Sequence, residues 1–193
     1  MTIRNRTIWV MGDAMNRDAM IVRPLSPQID EYALDLAGGT YCPRKPVEYR
    51  QYMRSKLKDL IATGFPGRYI LSDRIISVLR LGRFKGWNTY PVSIVDKKGL
   101  KILGYYGFSV SGRCGPPDES RCLSRTENAD GLGYEATGLF FDEETWDGSD
   151  IFMVQTTAYI CVTGEVRDAV MSVGARNIRF RHSEEIVRPI VPE

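Results

Sequence analysis

Hydrophobic and polar positions follow the same order in two stretches of the chain that lie about ninety residues apart. In both stretches a short apolar run ends in a hydroxyl residue, apolar residues follow three, six and seven positions later, and a glycine precedes another strand-like run. The hydroxyl residues are Ser72 and Thr163, and the later apolar positions are Ile75, Val78, Leu79, Val166, Ala169 and Val170. Ser and Thr favour the N-cap, and this spacing places apolar side chains on one helix face. The pattern predicts two strand-helix-strand units, at about 68–95 and 158–181.

The two units are expected to share one hydrophobic core, because a unit with a single helix cannot bury its apolar face alone. Between them, residues 87–95 and 100–110 are rich in β-branched and aromatic side chains and flank the turn at 96–99. This stretch predicts a hairpin. The sequence therefore predicts an α+β fold for residues 65–193, with two related strand-helix-strand units and a mostly antiparallel sheet.

Residues 1–64 are expected to add a strand and an amphipathic helix to the α+β region 65–193. The strand is predicted at 7–11, and Pro46 suits the first turn of a helix that ends near Gly64. The apolar face of that helix would carry Met53, Leu57, Leu60 and Ile61. Its basic face indicates either a solvated surface or a nucleic-acid contact. We expect these residues to pack on the region 65–193 in one compact domain.

The composition excludes several classes of protein. The chain is 43% hydrophobic and 26% charged, and it contains no apolar run of the roughly 20 residues that span a bilayer. A cytoplasmic protein without a membrane partner is therefore expected. Cys42, Cys114, Cys122 and Cys161 lack paired spacing, so we expect free thiols and neither a disulfide nor a zinc site.

The charges are segregated along the chain. Residues 44–101 contain 14 Lys or Arg and 4 Asp or Glu, whereas residues 126–166 contain 9 Asp or Glu and no Lys or Arg. Two interpretations stay open: the acidic segment folds back across the basic one, or it forms a surface for a partner.

The sequence offers no convincing catalytic set. His182 is the single histidine, and no Gly-rich phosphate-binding motif follows a predicted strand. Asp142, Glu143 and Glu144 are adjacent, and their spacing matches no calcium loop. We therefore expect no catalytic residues, no metal ligands and no cofactor, and we do not expect nucleic acid as a partner.

Several segments between residues 65 and 185 stand in an order that resembles that of a known family. These segments are Ile70–Leu79, Tyr90–Ile94, Tyr105–Tyr106, Leu139–Glu144, Asp150–Phe152, Ile160–Thr163 and Gly174–Phe180. Their order resembles a bacterial immunity-protein family of polymorphic toxin systems, first catalogued as a domain of unknown function. That family is similar to the myxobacterial double-CxxCG proteins, but the chain has neither CxxCG motif. The resemblance implies a cytoplasmic, non-enzymatic protein that binds and neutralises a cognate toxin encoded by an adjacent gene.

Two hypotheses for the binding site follow. In the first, acidic side chains steer a basic partner and an aromatic residue adds packed area. The residues concerned are Asp142, Glu143, Glu144, Trp146, Asp147 and Asp150. Alternatively, Trp146 caps the core beneath its own loop. In the second hypothesis, the loops at 111–133 and 142–150 frame a small-molecule or enzyme site, for which the candidate residues are Tyr105, Tyr106, Arg113 and Asp118.

Overall fold

The structure is a computed structural model that describes residues 7–26, 28–127 and 134–190. Its strands are β1 (Ile8–Asp13), β2 (Ile21–Pro24), β3 (Val47–Met53), β4 (Leu60–Ala62), β5 (Tyr69–Ser72), β6 (Trp87–Tyr90), β7 (Val92–Val95), β8 (Lys101–Ile102), β9 (Tyr105–Val110), β10 (Gly112–Cys114), β11 (Ser124–Glu127), β12 (Tyr134–Thr137), β13 (Ile151–Val154), β14 (Ile160–Thr163), β15 (Ile178–His182) and β16 (Val187–Ile190). Its helices are α1 (Gln28–Glu31), α2 (Ala33–Ala37), α3 (Asp73–Leu81) and α4 (Gly164–Ser172). Short 3-10 turns lie at Glu119–Arg121, Glu143–Thr145 and Ser183–Glu185.

The described strands form three sheets. A five-stranded sheet has the order β10-β13-β14-β1-β15, and an eight-stranded sheet has the order β6-β9-β5-β4-β2-β3-β7-β8. A three-stranded sheet has the order β11-β12-β16. The α+β class is confirmed. The two larger sheets are mixed, because β10 pairs with β13, β2 with β4 and β3 with β7 in parallel, while their other strand pairs are antiparallel. Parallel strands cannot be joined by a short turn, so the sequence carries no local signal for these three pairs.

Two stretches of the chain run from a strand through a helix to a strand, β5-α3-β6 and β14-α4-β15. In each case the two strands are separated in the sheet by one other strand, which is antiparallel to both. That inserted strand is β9 in the first stretch and β1 in the second. The N-terminal strand therefore holds together the two strands that flank α4.

Both helices bury their apolar faces in one cluster, as the spacing predicted. Ile75 and Leu79 of α3 and Val166 and Val170 of α4 are buried together, and Val78 packs against them. Helix α3 contacts β5 and β9 of the eight-stranded sheet, α4 contacts β1 and β14 of the five-stranded sheet, and the two helices contact each other. None of the described helices has the length and hydrophobicity needed to cross a bilayer.

The hydroxyl residues precede the helices but do not cap them. Ser72 and Thr163 occupy the N-cap positions, yet neither side chain makes a capping hydrogen bond. The Ser72 hydroxyl donates instead to the Asp59 carboxylate, 2.8 Å away, and the Thr163 hydroxyl is buried without a hydrogen-bond partner in the structure. The predicted positions are right, but the predicted capping bonds are absent.

The prediction of an amphipathic helix from Pro46 to Gly64 is wrong. This segment forms β3 and β4, and Met53 and Leu57 are exposed. The alternation in β3 explains the result, because Val47 and Tyr49 are buried while the residues after each of them are exposed. The strands β2, β3 and β4 join the eight-stranded sheet and do not form a separate N-terminal layer.

A buried carboxylate lies where the two helices meet, in a group that we call the Asp59 cluster (Asp59, Ser72, Arg74 and Arg176). Asp59 is 3% exposed and accepts hydrogen bonds from Ser72, from two nitrogens of Arg74 and from the Arg176 amide at 2.5 to 3.2 Å. Arg74 also donates to the carbonyl of Val173, just after α4. The Asp59 cluster thus joins the start of α3 to the end of α4.

Candidate functional site

The predicted acidic site lies in a loop that we call the acidic loop (Asp142–Asp150). Trp146 in its middle is 7% exposed and packs against Phe141 and Phe152. The indole nitrogen donates to the carbonyl of Ser149 at 3.1 Å. Trp146 therefore caps the core beneath its own loop, which was one of the two interpretations of this residue.

Three aspartates of the acidic loop hold its backbone. Asp142 accepts from the Glu144 amide at 3.0 Å, and Asp150 accepts from the Lys85 amide at 2.8 Å. Asp147 accepts from the amides of Ser149 and Arg113. Burial raises the pKa of Asp147, but these hydrogen bonds outweigh it and lower the pKa below its usual value. The three carboxylates thus fix the shape of the loop.

The remaining carboxylates of the acidic loop belong to Glu143 and Glu144. Both residues are exposed and lie on the 3-10 turn Glu143–Thr145, between the capping residue Asp142 and the buried Trp146. The acidic loop therefore presents these two negative charges on a backbone that is fixed at both ends.

The residues of the alternative site are not brought together. The Tyr105 hydroxyl donates to the carbonyl of Lys58, and Arg113 donates to the carbonyls of Val110 and Gly112. Asp118 caps the 3-10 turn Glu119–Arg121, and Tyr106 faces Arg80. Residues 128–133 of the loop at 111–133 lie outside the described residues. These four side chains therefore serve separate local roles.

A further candidate site is a groove of about 1360 Å³ that we call the arginine cleft. Its walls come from the face of the five-stranded sheet opposite α4, from the three-stranded sheet, and from the turn before β5. Its charged and phenolic lining residues are Asp13, Tyr69, Glu119, Arg125, Tyr159, Arg179, Arg181 and Arg188. Cationic side chains outnumber anionic ones in this lining.

Arg179 and Arg181 form one row along the edge strand β15. Residues two apart in a strand point to the same face, so these side chains share the face that carries Val10 and Gly12, their partners in β1. The two Cα atoms are about 7 Å apart at the rise of a strand. Within the described residues, neither guanidinium has a carboxylate partner.

Arg125 and Arg188 form a second row across the three-stranded sheet. Arg125 on β11 and Arg188 on β16 both pair with Ala136 of the central strand β12. Their side chains therefore lie on the same face of the sheet, with their Cα atoms about 10 Å apart. Arg188 is 4% exposed, and two of its nitrogens contact the two oxygens of Glu119 at 2.7 and 2.8 Å. Arg125 lies over the ring of Tyr134. Arg188 is thus held by the protein itself, unlike the arginines of β15.

The two tyrosines of the arginine cleft are neutral hydrogen-bonding groups at neutral pH. Burial raises the pKa of Tyr159, although Arg181 and Arg188 act in the opposite direction. Burial also raises the pKa of Tyr69. Both phenols therefore keep their protons. Tyr159 can donate a hydrogen bond to an anion, whereas the Tyr69 oxygen is hydrogen-bonded to the backbone of Asp13 and Gly67.

The thiols and the histidine lie in different surroundings. Cys114 and Cys161 are buried among apolar residues, and burial raises the pKa of both. Cys42 is exposed, and the ring of His182 packs edge-on against Trp9. In the part of the chain that the structure describes, no three His, Cys, Asp or Glu residues come close enough to hold a metal ion.

No protein-family model matches the chain, and a comparison with curated proteins also finds no match. The acidic loop and the arginine cleft are therefore the candidate sites that the geometry supports.

Sequence reasoning missed the arginine cleft. Its four arginines come from three strands, β11, β15 and β16, and only Arg179 and Arg181 are close in sequence. The alternation of Arg179 and Arg181 with Ile178 and Phe180 was the available signal, since it indicates a strand with one charged face. The opposing row could not be found, because the register of the three-stranded sheet sets it.

Proposed function

We propose that this protein is a non-enzymatic immunity-type protein that binds and neutralises a cognate toxin, and that the acidic loop faces the toxin. The observation that carries the proposal is the position of Glu143 and Glu144, which are exposed on a short turn with both ends fixed. The resemblance to the immunity family supplies the class of partner.

Fixing the acidic loop before binding favours tight association. A loop that is ordered only in the complex loses conformational entropy when the partner binds, whereas a loop that is already ordered does not. The aspartate hydrogen bonds and the burial of Trp146 provide this order. In this proposal the buried Trp146 holds the acidic loop in place, and the carboxylates of Glu143 and Glu144 contact the toxin.

A basic toxin surface is the matching partner. Toxins that act on nucleic acids need Lys and Arg to contact phosphates, and a protein that covers such a surface needs negative charge. Complementary charges mainly accelerate association, and the effect weakens as salt screens them. The acidic loop is therefore expected to act on the association rate.

The test compares two charge reversals of equal size. The variant carries Glu143→Lys and Glu144→Lys, and the control carries Glu184→Lys and Glu185→Lys, an exposed acidic pair on another 3-10 turn. Association with the toxin domain encoded by the adjacent gene is measured at low and moderate salt, together with growth of cells that express that toxin. We expect the variant to associate about tenfold more slowly at low salt and the control to associate normally.

Two results would contradict the proposal in different ways. Equal association of variant and control would place the contact surface outside the acidic loop. Absence of both binding and protection with the unmutated protein would remove the immunity function itself.

We also propose that the two strand-helix-strand stretches are related copies of one unit. The support is their shared arrangement, in which one antiparallel strand separates the two strands that flank the helix. An internal sequence repeat in related chains at 68–95 and 158–181 would test this relation.

A further inference from the structure

The arginine cleft contains cationic groups that the fold does not use. Arg188 is satisfied by Glu119 and by the carbonyl of Gly138, but Arg179 and Arg181 have no carboxylate partner within the described residues. Cations that share a concave surface raise the local concentration of anions. The cleft is therefore arranged for an anionic ligand.

The side chains of the arginine cleft favour phosphate as the anion. A guanidinium group is a planar fork that binds phosphate oxygens through two parallel hydrogen bonds. Two such groups about 7 Å apart on β15 can contact two neighbouring phosphates of one ligand. Tyr159 lines the same cleft, so a neutral phenolic donor is available beside the arginines.

The uncharged lining of the arginine cleft suits a flat ring. Beside the two tyrosines it contains Phe65, Pro66, Pro116 and Pro117. Bases of nucleotides stack on such surfaces, whereas acidic peptide side chains gain little from them. Gly12 lies beside Tyr69 in this lining, and the Tyr69 hydroxyl is 3.6 Å from the position that a Cβ of Gly12 would take.

We propose that the arginine cleft binds a phosphorylated ligand of the nucleotide class, with Arg179 and Arg181 on its phosphates and the aromatic and proline side chains against its base. This site is separate from the acidic loop, because none of the residues 142–150 lines the cleft. The volume exceeds the roughly 300–1,000 Å³ of an ordinary small-ligand pocket, so both a free nucleotide and a short single strand fit.

The experiment measures binding of three probes to the full chain. The probes are ATP, a fluorescently labelled six-nucleotide thymidine strand, and hexaglutamate as an acidic peptide. The variant carries Arg179→Gln and Arg181→Gln, and the matched control carries Arg80→Gln and Arg83→Gln, two exposed arginines at the end of α3 with the same change of charge. A third protein carries Arg179→Lys and Arg181→Lys, which keeps the charge and removes the planar forks.

We expect ATP or the strand to bind the unmutated protein more tightly than hexaglutamate does. The Gln variant should lose at least about tenfold in affinity, the Lys variant should lose less, and the control should change less than about twofold. For the strand, loss of two phosphate contacts should reduce the slope of log affinity against log salt by about 1.4. Tighter binding of ATP identifies a free nucleotide as the ligand, and tighter binding of the strand identifies a polynucleotide.

Three results would overturn the proposal. These are absence of binding by both ATP and the strand, tighter binding of hexaglutamate than of either, and equal losses in the Gln variant and the control. A thermal unfolding curve for each variant separates loss of the site from loss of the fold.

Discussion

The Asp59 cluster and the arginine cleft both gather charged side chains from distant parts of the chain, but they differ in how the charges are satisfied. Asp59 is buried and accepts four hydrogen bonds from three residues. Arg179 and Arg181 lie on an open face and have no carboxylate partner within the described residues. Charges of the first kind connect parts of the fold, whereas charges of the second kind remain available to a ligand.

The largest effect is expected from Asp59→Ala. This change removes a buried carboxylate and leaves the Arg74 and Arg176 groups that it joined without their partner, so we expect a loss of about 3 kcal/mol in the free energy of unfolding. Arg74 is partly exposed and can regain water, which keeps the loss at the lower end of the range for buried pairs. Urea denaturation gives the measurement.

Asp168→Ala provides the control for this comparison. Asp168 also pairs with an arginine, Arg167 at 2.6 Å, but both side chains are exposed. An exposed pair contributes about 0–1 kcal/mol. Equal losses in the two variants would mean that the Asp59 cluster does not connect the helices as we describe.

The stability that Asp59 provides should depend on pH. Burial acts to raise the pKa of Asp59, but hydrogen bonds from Arg74, the Arg176 amide and Ser72 outweigh it, so the folded pKa lies below the unfolded value. The contribution is therefore complete above the unfolded pKa of about 3.9 and is lost as the pH falls through the folded pKa. The difference in stability between the unmutated protein and Asp59→Asn should shrink below about pH 4. A constant difference from pH 7 to pH 3 would exclude this account.

The smallest effect is expected where charges are unpaired. Replacing Arg179 and Arg181 with Gln should change the free energy of unfolding by about 0.5 kcal/mol or less, because the fold gives them no ionic partner. Arg188→Gln should cost about 2 kcal/mol, since it leaves Glu119 and the Gly138 carbonyl without a buried donor. If the β15 arginines proved as important to stability as Arg188, the two rows of the arginine cleft would not differ in role.

The helices were predictable because their signals are local. The apolar positions Ile75, Leu79, Val166 and Val170 recur at helical spacing and are buried in the structure. The error at residues 46–64 arose because Met53, Leu57, Leu60 and Ile61 match the same spacing by chance. The alternation of Val47, Glu48, Tyr49 and Arg50 carried the correct strand signal.

The candidate site was predictable only in part. The acidic loop is a continuous run of residues, so its charges were visible in the sequence, but the burial of Trp146 depends on Phe141 and Phe152. The arginine cleft and the Asp59 cluster depend on residues far apart in the chain, such as Asp59 and Arg176. Their positions follow from the register of the sheets, which a single sequence does not specify.

The place of β1 has a consequence for synthesis on the ribosome. This strand pairs on one side with β14 and on the other with β15, and about 150 residues separate it from them along the chain. At the usual rates of translation, β1 emerges roughly 8–30 s before its first partner. During that interval its apolar residues have no partner strand in the nascent chain, so they are open to chaperones or to a neighbouring nascent copy. The five-stranded sheet therefore cannot be completed before β15 has been synthesised.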